Sequence, residues 1–306
     1  MYLRVSITDR CNLRCTYCLP ESAHFAASTI SAEEIDQLMA AICAAVPVHK
    51  IRLTGGEPTL CPDLIQHVRA AAWLVPTVGL TSNGVMLERL LPELRSAGLT
   101  RLNISLDAAD AVGFTTATRR PRFAEVVSSL RAAVRCGFTP LKINAVATVD
   151  TDPLSLARFA IAEQVHLRFI ELMDIGVAHG NWRERHVAAD VLRERLRAGG
   201  LELSACLERD EPTSRVWTLA GVDPALTTLG FITTVSDPFC ATCDRIRLTS
   251  QGRLHTCLFD ERGTDLISSL RCGDHQGLVR IIRQAVDAKA PPARFHSAGI
   301  MAGIGG

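Results

Sequence analysis

Six of the eleven cysteines fall into two tight sets, and these carry the most specific chemistry in the chain. Cys11, Cys15 and Cys18 are spaced C-x3-C-x2-C, and Cys240, Cys243 and Cys257 are spaced C-x2-C-x13-C. Three thiolates can hold three irons of a [4Fe–4S] cluster and leave the fourth iron without a protein ligand, which makes that iron a chemical site. Structural zinc usually takes four protein donors, so a zinc reading needs His24 or another distant donor for the first set and His255 for the second. A thiol redox reading of Cys15 and Cys18 leaves Cys11 unexplained. Cys43, Cys61, Cys136, Cys206 and Cys272 are scattered and read as small hydrophobes. Beside the second set, Arg245 and Arg247 are two apart and project to the same side of a strand, where paired guanidiniums suit a polyphosphate. No G-x4-G-K-[ST] run occurs, so a triphosphate would be held by scattered cations.

Such groups need a frame, and short apolar runs alternating with helical patterns predict parallel βα units. Six strands are expected, at 3–7, 50–53, 77–80, 101–106, 142–149 and 166–171, with helices at 31–46, 62–73, 87–97, 123–136 and 154–163 between them. Ser31 and Glu34 form a capping box at the start of the first helix, and Gly137 is a stop for the fourth. Six units predict an α/β fold of the open, partial TIM-barrel kind, with function at the strand C-termini. After a helix at 188–198 the period breaks near Gly199-Gly200, and short strands at 215–219, 231–235 and 245–248 precede a helix at 277–288. The expected division is a barrel over residues 1–198 and a smaller C-terminal domain over 199–306, carrying the second cysteine set.

Composition limits the partners. Lys plus Arg number 33 against 32 Asp plus Glu, so no uniform field steers the chain to nucleic acid or an anionic membrane. The longest apolar run, from Leu38 to Val46, is far short of the roughly 20 residues a spanning helix needs. With no export signal near Met1, the expected location is the cytoplasm, where thiols stay reduced and serve metals or catalysis.

C-x3-C-x2-C with Tyr17 before the last cysteine, after the first strand of a βα series, resembles the radical S-adenosylmethionine (SAM) family. Gly55-Gly56-Glu57-Pro58 at the end of the second strand is a second match. The resemblance implies that SAM chelates the open iron and is cleaved to a 5′-deoxyadenosyl radical. It implies SAM contacts at Tyr17, Gly56, Ser105 and Met173, with the glycine turn binding the SAM amino group and Glu57 able to pair with an ammonium. The segment from Leu229 to Phe259 and the terminal Gly305-Gly306 resemble one branch, the GTP 3′,8-cyclases of molybdenum cofactor biosynthesis. That branch converts GTP to 3′,8-cyclo-7,8-dihydro-GTP, a radical SAM lyase reaction.

For this chain the branch resemblance implies two [4Fe–4S] clusters, the second also with an open iron, which binds the purine of GTP. It implies GTP contacts at Arg4, Lys50, Arg52, Thr81, Lys142, Arg168, Arg245 and Arg247, and catalytic roles for Arg4, Gly305 and Gly306. Implied partners are an electron donor, the next pathway enzyme (cyclic pyranopterin monophosphate synthase) by product transfer, and a homodimer, with no nucleic acid and no membrane. The family usually carries a short segment before the first strand, whereas the sequence here starts almost at the strand itself, and Cys61 stands where an arginine is common in the family. The rival readings are a radical SAM enzyme that modifies a peptide and a non-enzymatic iron–sulfur or zinc protein.

Overall fold

A computed structural model describes residues 1–23, 25, 30–206, 213–292 and 295–297. The six expected strands are present as β1 (Tyr2–Ser6), β2 (Lys50–Thr54), β3 (Val78–Ser82), β4 (Arg101–Ser105), β5 (Leu141–Ala147) and β6 (His166–Glu171). They pair in parallel and in chain order. The crossovers are α1 (Ala32–Ala45), α2 (Leu64–Leu74), α3 (Leu91–Ser96), the pair α4 (Ala111–Thr118) and α5 (Phe123–Arg135), and α6 (Pro153–Ala162). The capping box at α1 forms as read: Ser31 N–H donates to Glu34 Oε2 at 2.9 Å, and Glu34 N–H donates to Ser31 Oγ at 3.2 Å. α4 was not expected; Asp110 caps it by accepting from the N–H groups of Val112 and Gly113.

The chain continues through β7 (Asp174–Ile175), α7 (Trp182–Arg185), α8 (Ala189–Ala198), β8 (Leu203–Ala205), β9 (Arg215–Leu219) and β10 (Leu229–Ile232). Next come β11 (Arg245–Leu248), β12 (Arg253–His255), β13 (Thr264–Asp265), α9 (Ile267–Arg271), α10 (His275–Asp287) and β14 (His296–Ser297). The C-terminal strands build on the same sheet. β10 adds in parallel to β6 at one edge, and β11 adds in parallel to β1 at the other. Antiparallel β9 and β8, and β12 and β13, finish the two edges, and β10 and β11 are not neighbours, so the sheet is open.

Alternation along these strands sorts the two faces. Leu3, Val5, Ile51, Leu53, Leu80, Leu102, Ile104, Ile143, Leu167 and Phe169 are buried in the core on one face. The opposite face presents Arg4, Lys50, Arg52, Thr81, Asn103, Ser105, Asn144 and Arg168 to a cavity. In a closed eight-stranded TIM barrel this inner face fills with layers of branched apolar side chains. Here it is polar and cationic, so this interior is built to hold a ligand.

Candidate active site

The cavity, ≈ 370 Å³, is lined by all six of the grouped cysteines. Topology places the two sets at opposite ends of the strands. Cys11, Cys15 and Cys18 follow the C-terminal end of β1, whereas Cys240 and Cys243 precede the N-terminal end of β11, which runs parallel to β1. Cys257 follows β12, which runs antiparallel to β11 and so returns to the same end. Five-residue strands at about 3.3 Å per residue separate the ends by roughly 16 Å.

The first loop is fastened on several sides. Cys18 N–H donates to Cys15 O at 2.9 Å, closing the turn between them. Arg14 and Thr16 N–H groups donate to Thr118 and Ala117 carbonyls at the end of α4, and Arg185 donates to Thr16 Oγ1 at 2.9 Å. The Tyr17 hydroxyl donates to Asp107 Oδ2 at 2.8 Å, while Asp107 Oδ1 accepts from Val146 N–H at 2.8 Å. Burial raises Asp107 to about 6 despite these bonds. The Asn83 amide reaches across to Asn12 Oδ1 at 2.7 Å.

The glycine turn fits against this loop. Gly56 N–H donates to Thr8 O at 2.8 Å and Glu57 N–H to Arg10 O at 2.7 Å. A Cβ on Gly56 would lie 2.3 Å from Arg10 O, and one on Gly55, whose φ is +138°, 2.2 Å from Thr8 O. Both glycines are therefore required by the neighbouring backbone that leads into Cys11. Glu57, buried, accepts at Oε1 from Thr59 N–H, Thr59 Oγ1 and Ser82 Oγ, and at Oε2 from Asn83 N–H at 2.6 Å. Its carboxylate thus serves chiefly to join the ends of β2 and β3, a use the sequence does not reveal.

Burial pushes the Cys15 thiol well above its usual range, and Asp107, Cys18 and Cys11 add to the effect. Cys240 is raised likewise by burial first, then by Cys257 and Cys243, while Lys289 opposes. Within each set the thiols therefore sense one another. Among the described residues no three His, Cys, Asp or Glu side chains are drawn together as ligands of one metal ion. A tetrahedral zinc holds its thiolates about 2.3 Å from the metal. Each set offers three thiols on the cavity wall, the donor number that leaves one iron of a [4Fe–4S] cluster without a protein ligand. His255 does not complete the second set: its Nδ1 pairs with Asp260 O at 2.8 Å, and its ring packs on Gly263. His24 lies outside the described residues.

Between the sets lie the cations. Register aligns Arg247, Arg4 and Arg52 across β11, β1 and β2, and Arg245 and Lys50 flank Tyr2. Arg52 is 4 % exposed yet bonded, donating to Leu80 O at 2.8 Å and Tyr2 Oη at 2.6 Å. Gly79, its neighbour on β3, leaves the space it fills, since a Cβ there would lie 2.8 Å from Arg52 Cζ. Gly230 likewise makes room for Arg168. Arg245 donates to Thr213 Oγ1 and lies over the Phe239 ring, while its buried Nε and the Asn144 Oδ1 have no partner among the described residues. Two unsatisfied buried atoms on the wall of one cavity mark it as a site made for a polar ligand.

Of the residues expected from the sequence, Arg4, Lys50, Arg52, Thr81, Arg168, Arg245, Arg247, Tyr17, Gly56, Ser105 and Met173 all line this cavity. Lys142 is level with Asn103 in register but is not among the lining residues. Gly305 and Gly306 lie outside the described residues. Cys272, read from the sequence as a small hydrophobe, is exposed.

Glu171 was missed as an individual. Buried at the end of β6, it accepts from Ala189 N–H at 3.0 Å, Val235 N–H at 3.0 Å, Ser236 N–H at 2.9 Å and the Ser236 hydroxyl. It thereby ties α8 and the segment leading to Cys240 to the barrel.

The profile of the radical SAM superfamily matches residues 5–150, and that of Molybdenum Cofactor Synthesis C matches residues 165–295. The chain is 38 % identical over 312 residues to the GTP 3′,8-cyclase of Heliobacterium modesticaldum, covering 96 % of this chain and 91 % of the relative. It is 40 % identical over 319 residues to the GTP 3′,8-cyclase of Rhodococcus opacus, covering 97 % and 89 %. Among solved structures, Streptococcus suis SuiB bound to S-adenosylmethionine superposes with a TM-score of 0.61 at 15 % identity, over 92 % of this chain and 67 % of that one, a likeness of fold.

Proposed function

This chain belongs to the GTP 3′,8-cyclase family of the radical SAM superfamily, and we propose a division of labour among its residues for that activity. The protein is a radical SAM enzyme of molybdenum cofactor biosynthesis, and its substrate is GTP. Cys11, Cys15 and Cys18 would hold one [4Fe–4S] cluster, and Cys240, Cys243 and Cys257 a second. When bound, the first cluster with SAM supplies a 5′-deoxyadenosyl radical.

The chain's own part is placement. SAM sits beside the first set, against Tyr17, Gly56, Ser105 and Met173. Arg4, Lys50, Arg52, Arg168, Arg245 and Arg247 take the triphosphate of GTP, and forked guanidinium bonds fix its orientation. Lys142, on the same face of β5 as the lining residue Asn144, is proposed to join them. The base then points toward the second set and the ribose toward SAM. Enclosure between strand ends keeps water from the reacting atoms. The observation that carries this reading is one cavity with a thiol triad at each end and six cations between.

The tail supports a further assignment. β14 pairs in parallel with β7, just after Met173, and Phe295 lines the cavity. Gly305 and Gly306, which lie outside the described residues, complete the proposed catalytic set with Arg4. An external one-electron donor completes the requirement. The test is chromatography after anaerobic incubation of the reconstituted protein with SAM, dithionite and GTP. A 3′,8-cyclised nucleotide with 5′-deoxyadenosine is expected; 5′-deoxyadenosine with no altered nucleotide would contradict the substrate assignment.

A further inference from the structure

Tyr2 stands among the cations with a chemistry that triphosphate binding alone does not use. It opens β1, with Lys50 of β2 and Arg245 of β11 beside it in register. Its hydroxyl accepts from Arg52 Nε at 2.6 Å and is also bonded to Arg4. Lys50 Nζ lies 4.7 Å from the ring centroid and Arg245 Cζ 6.0 Å from it. Arg247 is the remaining cation of the cluster. At the strand ends, Asp244 pairs with His49 at 3.4 Å, and the Met1 amino group bonds to Pro47 O.

Crowding cations with little water is unfavourable, and the arginines register it. Burial, with its like-charged neighbours, lowers Arg4 to about 10 and Arg247 well below its usual value. A negative group in their midst relieves that cost. Burial alone would raise the Tyr2 phenol, but Arg52, Arg4, Lys50 and Arg245 outweigh it and bring it down to about 7. Tyr17, the other tyrosine, moves the opposite way: burial raises it first, and Asp107 and the Cys15 and Cys18 thiols add to the rise where Tyr2 has cations.

We propose that Tyr2 is the resident counter-anion of the polyphosphate-binding cations, ionised while no ligand is bound and protonated when an anionic polyphosphate replaces it. This rests on the reading of the cavity as a GTP site and adds a positioning residue to it. As the phosphate oxygens take up the hydrogen bonds of the arginines, the phenolate loses its stabilising charges and binds a proton from solvent. Its hydroxyl then becomes a donor able to face the ligand. Binding is thereby coupled to proton uptake over the pH range between the lowered phenol value and its ordinary one of about 10.

The test uses inorganic tripolyphosphate, which needs the cations but no guanine recognition, and the anaerobic holoenzyme. Calorimetry in two buffers of different ionisation enthalpy measures protons taken up per bound anion, for wild type and Tyr2→Phe, at pH 7.5 and 8.5. At pH 8.5 wild type should take up close to one proton more than the variant, and its affinity should fall about tenfold more than the variant's between the two pH values. Equal proton uptake in both proteins would overturn the proposal. Site-specific 3,5-difluorotyrosine at position 2 keeps the shape but is more acidic, so it should move the uptake to lower pH; an unmoved profile would also overturn it. Failure of tripolyphosphate to bind wild type would overturn it too. Tyr2-dependent uptake in a protein that does not cyclise GTP would support it while refuting the substrate reading.

Discussion

Replacing Glu171 by Gln separates the barrel from the second cysteine set without touching a thiol. Both carboxylate oxygens are in use, with two backbone N–H donors on Oε2 and one N–H and a hydroxyl on Oε1. An amide retains one acceptor. Its oxygen would stay with Val235 and Ser236 N–H, and its NH2 would meet the Ser236 hydroxyl, which can turn to accept. Ala189 N–H is then left opposed by a donor. Leaving one buried donor unpaired costs about 1–3 kcal/mol, and changing two charge-assisted bonds to neutral ones about 1 kcal/mol each, so about 4 kcal/mol is at stake. Much of that strain falls on the segment four to five residues ahead of Cys240. Urea unfolding and iron counting after anaerobic reconstitution test it together. Stability should drop by roughly 4 kcal/mol and iron should fall from about eight toward about four per chain, while SAM cleavage persists. A variant with wild-type stability and eight irons would refute the reasoning.

Gly56→Ala puts a methyl where only 2.3 Å separates it from Arg10 O, so the loop into Cys11 must move; 5′-deoxyadenosine formation should be lost, and a near-normal rate would contradict the packing described. Cys240→Ala should abolish the cyclised nucleotide yet leave uncoupled SAM cleavage, which chromatography of both products resolves. His67 gives a pH signature: burial favours its neutral form, but Asp36 at 2.6 Å, with Cys61, raises it to about 9. Raised from about 6.5, it contributes on the order of 3 kcal/mol that is fully present below pH 6.5 and is lost as pH rises through 9. Denaturant melts from pH 6 to 10 should show that loss, and His67→Gln should flatten it.

The parallel strands were legible because burial under helices writes them as short apolar runs, and their polar alternates already named most of the cavity wall. β10 and β11 were less so, since strands of four residues carry no sign of which edge they join. That joining brings Arg245 and Arg247 level with Tyr2 and Arg4. The spaces left by Gly79 and Gly230 depend on the register of neighbouring strands, which composition does not encode. Glu57 reads from its motif as a possible ligand group and Glu171 carries no signal at all, because partners of the two lie 25 and 64 to 65 residues away, among them Ser82 and the 235–236 segment. The cysteine sets were the opposite case, because a local spacing is itself the chemistry.

The most direct measurement is electron paramagnetic resonance of the reduced, anaerobic holoenzyme with SAM and with GTP added separately. SAM should change the signal of the cluster at Cys11, Cys15 and Cys18, and GTP that of the cluster at Cys240, Cys243 and Cys257, each persisting when the other set is replaced by alanine. Signals from both centres that ignore either small molecule would contradict a cavity with an open iron at each end.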